Sequence, residues 1–342
     1  MTNVIDLRSD TVTKPTPAML EAMLTAEVGD DVFESDPTVN RLQEHAAELF
    51  GREAALFCPS GTMTNQIAIA LQSGPLTEVI AEESAHVYNY EVGGISYNAR
   101  ASVKLLAGDR GRLKAEQIIG AINPNDVHKA RTALVCLENT SNRGGGSCYQ
   151  WMNILQIAQA CRDNQLKLHL DGARLFNAVV KTATPVENFG EVFDTMSICL
   201  SKGLGAPVGS LLIGDKTTIA EARRFRKAMG GGMRQAGFLA AAGLFALQHH
   251  VERLSQDHQL AADIAAVLQT QPYVDNLLEP ETNIVIFNLR DDINPLTFIH
   301  HLEANNIKAV NFGGQAIRFV THLDIGQEDL NPISEALKAF RP

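Results

Sequence analysis

The sequence carries one tryptophan and five cysteines in 342 residues. It has no CxxC pair and no apolar run of membrane-spanning length. Cys58, Cys136, Cys148, Cys161 and Cys199 are odd in number and irregular in spacing, which signals neither a disulfide framework nor a zinc site. No metal is expected. Cys136, Cys161 and Cys199 lie in apolar runs, where a cysteine serves as a small core residue. The opening MTNVIDLRSD lacks the apolar stretch of a secretory signal. With the unpaired thiols, this sets the expectation of a cytoplasmic protein. Tandem repeats, low-complexity stretches and blocks of one charge are absent too. The net charge of -10 offers nothing to attract nucleic acid or an anionic membrane.

What is present is enough apolar residue, 45%, for a sizeable core, and a length that suggests one large domain plus a smaller one. Thr16-Pro17 and Asp36-Pro37 each read as a helix cap followed by proline at the first helical position. Short apolar runs then alternate with helical patterns. Strands are expected at 54–58, 78–82, 103–107, 132–138, 167–171, 195–201 and 209–214, and helices at 62–72, 114–122 and 151–163. The runs lack polar alternation, as strands covered on both faces do, so the expectation is an α/β fold around a mostly parallel sheet. Residues 235–269 read as one long alanine-rich helical stretch. Strands at 283–289, 307–312 and 316–322 and two further helices then suggest a compact α+β unit. The boundary is placed near residue 250, giving a large domain (1–250) and a small C-terminal domain (251–342).

Ligands of open α/β sheets sit beyond the carboxyl ends of the parallel strands. The polar residues following the strands are Ser60-Gly61-Thr62, His86, Glu138-Asn139, Asp171 with Arg174, and Lys202. CPSGTMTN (58–65) would place the N–H groups of Gly61 and Thr62 at a helix start, which suits a single phosphate, although an ordinary cap looks the same. It is neither a GxGxxG nor a Walker loop. Asp171 ends a hydrophobic strand. It could simply cap the next helix, or it could pair with a protonated pyridine nitrogen. Lys202 stands among Gly203, Gly205 and Gly209, which favour close backbone approach over solvation. A desolvated lysine there can form a Schiff base with an aldehyde. His86 taken alone reads as a core histidine. Beside the others, its imidazole could stack on a ring and share protons. Arg223, Arg224 and Arg226 read as helix surface, and Trp151 and His249-His250 as packing and surface.

Phosphate turn, aspartate, arginine and lysine occur in the chain order of fold-type-I pyridoxal-phosphate enzymes, and the sequence resembles the threonine aldolases. The resemblance is carried by DLRSDTVTKPTPAM (6–19), GDDVFESDPTVNRLQEHAAELFG (29–51), PSGTMTNQIA (59–68), AHVYNYEVGG (85–94), LENT (137–140), HLDGARLFNA (169–178), SKGLGAPVGS (201–210), GGGMRQAG (230–237) and RFVTHLD (318–324). It implies an aminotransferase-like α/β fold with pyridoxal 5'-phosphate as cofactor. The implied activity is retro-aldol cleavage of L-threonine or L-allo-threonine to glycine and an aldehyde. A β-eliminating lyase acting on serine- or cysteine-type substrates is the alternative.

The same resemblance assigns residues. Lys202 holds the cofactor, Asp171 keeps its ring nitrogen protonated, Arg174 lies at the ring's side, and Gly61 and Thr62 take the phosphate. His86 stacks on the ring and orients the substrate hydroxyl. Ser9 and Arg318 bind the substrate carboxylate, and Lys227 lines the site. Arg234 reaches the phosphate across a subunit boundary, which implies a homo-oligomer, dimer or tetramer. Two departures stand out. Ser141 replaces a substrate-facing histidine common in the family, and Phe33 replaces a tyrosine, with Ser35 near the neighbouring acidic position.

Overall fold

The computed structural model describes residues 4–341. The chain enters on a two-residue strand, β1 (Ile5–Asp6), and continues into helices Pro17–Leu24 and Pro37–Leu49. Both helices begin as the sequence suggests. The Thr16 hydroxyl accepts from the Met19 N–H at 3.2 Å, and the Asp36 carboxylate accepts from Thr38 and Val39 at 3.1 and 3.0 Å. Asp36 also accepts from the Gly237 N–H at 2.8 Å, so one cap fixes the start of a helix two hundred residues away.

Seven strands form the main sheet: β2 (Ala54–Cys58), β3 (Thr77–Glu82), β4 (Ser102–Leu106), β5 (Arg131–Glu138), β6 (Lys167–Gly172), β7 (Thr195–Cys199) and β8 (Ser210–Gly214). Their order is β2-β8-β7-β6-β5-β3-β4. Strands β3 to β7 run parallel, and β8 is antiparallel to both of its neighbours. Every residue of β7 and β8 is buried, which explains the unbroken apolar runs there. The carboxyl ends of β3, β5, β6 and β7 share one sheet edge. Glu82, Glu138, Asp171 and Cys199 therefore arrive together, although 117 residues separate the first from the last.

The stretch 235–269 is not one helix. It is two, Gly237–His249 and Leu254–Gln269. At the break His250 turns inward, and its Nδ1–H donates to the Leu204 carbonyl at 2.7 Å. The following strands are β9 (Val274–Leu278), β10 (Ile284–Leu289), β11 (Ile307–Lys308), β12 (Val310–Gly313) and β13 (Ala316–Val320). Four of them form an antiparallel sheet, β12-β13-β10-β9, while β11 pairs in parallel with β1. The run 307–312, expected as one strand, thus serves two different sheets. A second hydrophobic cluster gathers Leu260, Leu268, Phe287, Phe298, Phe319 and Leu337, and it takes in Ile5 and Leu7 from the chain start.

Three local readings change or gain content. Arg226 is not helix surface. It is buried, donating to Asp31 and to the Phe57 carbonyl, each at 2.6 Å, whereas Arg224 is exposed. His250 is buried as well. Trp151 packs edge-on against Phe189 with ring centroids 5.3 Å apart. Among the described residues no helix is long and apolar enough to cross a membrane.

Candidate active site

Lys202 follows the end of β7 by three residues. Its carbonyl accepts from the Thr13 hydroxyl at 3.0 Å and from the Gly205 N–H at 2.8 Å. Gly205 has φ +80°, and a Cβ there would come within 2.7 Å of Leu323. The glycine setting is therefore a matter of backbone conformation and tight packing. The lysine side chain lines a small cavity with Arg174, Phe176 and Cys199.

Asp171, near the end of β6, is buried. It accepts from the Ala173 N–H and from Asn65 Nδ2, both at 3.1 Å. The same Asn65 amide donates to Glu91 at 2.9 Å, and Asn65 Oδ1 accepts from His169 at 3.1 Å. Burial lowers the pKa of His169 to about 4, so this ring is neutral and its proton is available to Asn65. Glu91 also accepts from Gln66 Nε2 and from His86 Nδ1, the latter at 3.1 Å. Ligand-capable atoms of His86, Glu91 and Asp171 lie within 4.8 Å of one another. On the adjacent strand, opposite Asp171, Glu138 receives the backbone N–H groups of His86 and Asn142, each at 2.9 Å. Burial pushes the Glu138 carboxyl upward, and the charge of Asp171 adds to that push.

Arg174 meets Asp10 in a bidentate pair, Nε to Oδ2 and Nη2 to Oδ1, both 2.7 Å. Both side chains are buried. Arg318, on β13, donates from Nη1 to Asn142 Oδ1 and from Nη2 to the Arg8 carbonyl, both at 2.9 Å. Its Nε is buried without a partner. Burial, followed by the charge of Arg174, lowers the Arg318 pKa to about 10. The guanidinium lies over the Phe312 ring at 4.5 Å, and Arg143 lies over the same ring at 3.9 Å. Arg143 also donates to the Tyr90 hydroxyl and to the Phe312 carbonyl. Ser9, next to Arg8, caps a short turn by accepting from the Thr11 N–H at 3.3 Å.

Gly61 and Thr62 open the helix Gly61–Gln72, capped by Ser60, whose hydroxyl accepts from the Met63 N–H at 3.2 Å. Their own N–H groups sit in the first turn, where no intrahelical carbonyl reaches them. A Cβ on Gly61 would come within 2.6 Å of Cys199 Sγ, which puts this turn beside the strand end that leads to Lys202. The structure thus gathers Lys202, His86, Asp171, Arg174, Arg318, Gly61 and Thr62 at one sheet edge, with Ser9 beside Arg318. Ser141 is buried close by, but its hydroxyl accepts from the Gly144 N–H at 3.2 Å and packs against Gly111. Lys227 and Arg234 lie elsewhere in the chain. Lys227 borders a surface pocket with Val32 and Gly232, and Arg234 pairs with Asp30 at 2.9 Å. Phe33 is exposed.

Sequence reasoning passed over Asp10, Asn65, Glu91, Asn142 and Arg143. Three of the five, Asp10, Asn65 and Glu91, stand inside the quoted motifs, and Asn142 and Arg143 follow LENT by two and three positions.

The donor set suits pyridoxal 5'-phosphate. It holds an amine for the aldehyde, a buried carboxylate with acceptor capacity to spare for a ring N–H, an imidazole, and a helix start for the phosphate. Arg318 adds an unpartnered buried donor suited to a carboxylate. These features define a pyridoxal-phosphate lyase of the α/β class. The model of the beta-eliminating lyase family matches residues 6–292. The low specificity L-threonine aldolase of Escherichia coli (strain K12) is 42% identical over 338 residues, 98% of this chain and 99% of that protein. The low-specificity L-threonine aldolase 1 of Arabidopsis thaliana is 40% identical over 96% of this chain and 93% of its own length. The solved threonine aldolase of Leishmania major shares the fold, with a TM-score of 0.84 over 98% of each chain at 23% identity. The chain belongs to the threonine aldolases, within the beta-eliminating lyase family.

Proposed function

We propose that the protein cleaves L-threonine and L-allo-threonine to glycine and acetaldehyde, with pyridoxal 5'-phosphate as cofactor. The observation that carries this is one sheet edge holding Lys202, Asp171 and His86 together with Arg318, whose buried Nε lacks a partner. When bound, the cofactor supplies a sink for the electron pair released at Cα. The remaining work falls to the chain's own residues. The Lys202 amine holds the aldehyde carbon. The Asp171 carboxylate holds a proton on the ring nitrogen. The N–H groups of Gly61 and Thr62 meet the phosphate, and Arg174 keeps its place at the ring side through Asp10. Ser9 and Arg318 grip the substrate carboxylate and so orient Cα, and His86 faces the β-hydroxyl.

Lys227 and Arg234 stand apart from this set within one chain. In this reading they complete the site of a neighbouring subunit, so the active species is a homodimer or homotetramer. The division at residue 250, a cytoplasmic location and a role in forming glycine from threonine belong to the same proposal. The β-eliminating alternative is favoured by the description of the matching family. The two reactions differ in products. The holoenzyme is given L-threonine, L-allo-threonine and L-serine in turn, and acetaldehyde, glycine, pyruvate and ammonia are measured. Acetaldehyde with equimolar glycine is expected. Pyruvate and ammonia from serine without acetaldehyde from threonine would overturn the aldolase reading.

A further inference from the structure

We propose that Glu91 is the positioning residue that fixes His86 as the acceptor of the substrate's β-hydroxyl proton. The inference rests on the aldolase reading and adds to it the residue that orients the imidazole. His86 Nδ1 lies 3.1 Å from Glu91 Oε1, whose side chain is wholly buried. The other two side chains that bond to Glu91, the amides of Asn65 and Gln66, both donate to it. A carboxyl held by donors in this way is an acceptor, which places the imidazole proton on Nδ1. That leaves the Nε2 lone pair free on the other side of the ring. The His86 side chain is 31% exposed, so the ring is open to the space a substrate would occupy.

The charged groups facing the pair are Asp171, Glu138 and Lys202. Burial pulls the His86 pKa down, but the Glu91 hydrogen bond and the charges of Asp171 and Glu91 more than offset it, and Lys202 opposes them. The net effect is a raised pKa and a stronger base. Glu91 is itself shifted upward, by burial first and then by Asp171, while its three donors resist that shift. Asn65 bridges Glu91 and Asp171 with one amide. The carboxylate that orients the base and the carboxylate that faces the ring nitrogen are thus fixed by a single side chain.

In the step this arrangement supports, the hydroxyl proton passes to His86 Nε2. The O–H pair becomes the π bond of the leaving aldehyde, the Cα–Cβ bond breaks, and its pair stays with Cα. One proton is then taken up at Cα. The number of protons leaving the hydroxyl equals the number gained by glycine, so no further reactant is required.

The test is Glu91→Gln, alone and combined with His86→Gln, assayed as holoenzyme on L-threonine across pH. The expected result for Glu91→Gln is a loss of kcat of tenfold or more, with KM little changed and the acid limb of the profile moved to lower pH. In the His86→Gln background the same change should have almost no further effect on kcat. A kcat within twofold of the parent and an unmoved acid limb would overturn the proposal, as would an equal loss in both backgrounds. A readout that needs no active variant is nitrogen NMR of the ¹⁵N-histidine-labelled holoenzyme, with His86 assigned by its absence in His86→Gln. The neutral ring should carry its proton on Nδ1, and a proton on Nε2 would overturn the assignment. Failure of the aldolase reading would look different: the parent enzyme itself would release no acetaldehyde.

Discussion

Replacing Asp10 by asparagine keeps its shape and removes its charge. In the native structure the Asp10 carboxylate is completely buried and grips Arg174 through two contacts of 2.7 Å. Burial alone would raise its pKa. The Arg174 charge and hydrogen bonds, helped by Lys202 and His322, bring it down instead, from 3.8 to about 2. A lowering of that size corresponds to roughly 2–3 kcal/mol of folding stability. That contribution is fully present above pH 3.8, the unfolded value, and is lost as pH falls toward 2. The substitution does more than cancel it, because it strands the Arg174 charge in the interior. Breaking a buried pair from one side costs about 3–5 kcal/mol.

Urea unfolding followed by circular dichroism at pH 7, with protein and cofactor concentrations fixed, measures the loss. Asp10→Asn should lie about 3–5 kcal/mol below the parent at an unchanged m-value. The gap should narrow as pH falls from 3.8 toward 2, because the unfolded chain's carboxylate takes up its proton in that range before the native one does. Asp10→Asn with Arg174→Gln should lose less than the sum of the two single changes, since the double variant buries no lone charge. A loss under about 1 kcal/mol for the single change would refute the reasoning, because that is the range of a solvated surface pair.

Three other outcomes are expected. Lys202→Ala should abolish both the near-visible absorbance of the holoenzyme and threonine cleavage; a colourless parent protein that stays colourless with added cofactor would sink the cofactor assignment. Arg318→Gln should lower kcat/KM on L-threonine roughly 10- to 100-fold, the worth of a hydrogen bond to a charged group, and raise KM for every amino-acid substrate alike. The parent should discriminate weakly between L-threonine and L-allo-threonine, because the Ser141 hydroxyl is turned to the Gly144 N–H and a single neutral hydrogen bond is worth only a few-fold to about tenfold. Specificity constants favouring L-threonine a hundredfold would contradict this.

Apart from the exposed edge strand β4, the strands of the main sheet were legible because burial on both faces leaves an unbroken apolar run. Asp171 and Lys202 were legible for the same reason, standing where such runs stop. Buried ion pairs were not. Asp10 and Arg174 are 164 positions apart and Asp31 and Arg226 are 195 apart, and an isolated charge in a sequence looks like surface. Arg226 was misread on this account. Glu91 follows no strand and has no apolar run beside it, so only its donors reveal it. The inward turn of His250 was hidden in the same way, since its partner is a carbonyl of the Lys202 loop. Strand β9 is half-exposed along an edge, which leaves no apolar run to read.

One short segment explains why the site depends on residues so near the start of the chain. Ile5 and Leu7 pack into the second hydrophobic cluster, and the Leu7 carbonyl accepts from the Val320 N–H at 2.9 Å. The next residues turn toward the sheet edge. The Arg8 carbonyl holds Arg318, the Asp10 carboxylate holds Arg174, and the Thr13 hydroxyl holds the Lys202 carbonyl. Three residues within six positions, Arg8, Asp10 and Thr13, thus touch three residues of the site, on β13, after β6 and after β7. Arg174 and Arg318 repel each other, and burial sharpens that repulsion. Something anionic or carbonyl-rich must lie between or beside them if both are to stay charged. Part of that role falls to Asp10 and to the Arg8 carbonyl. The same segment that anchors the chain start in the second cluster therefore also holds the cationic side chains in place.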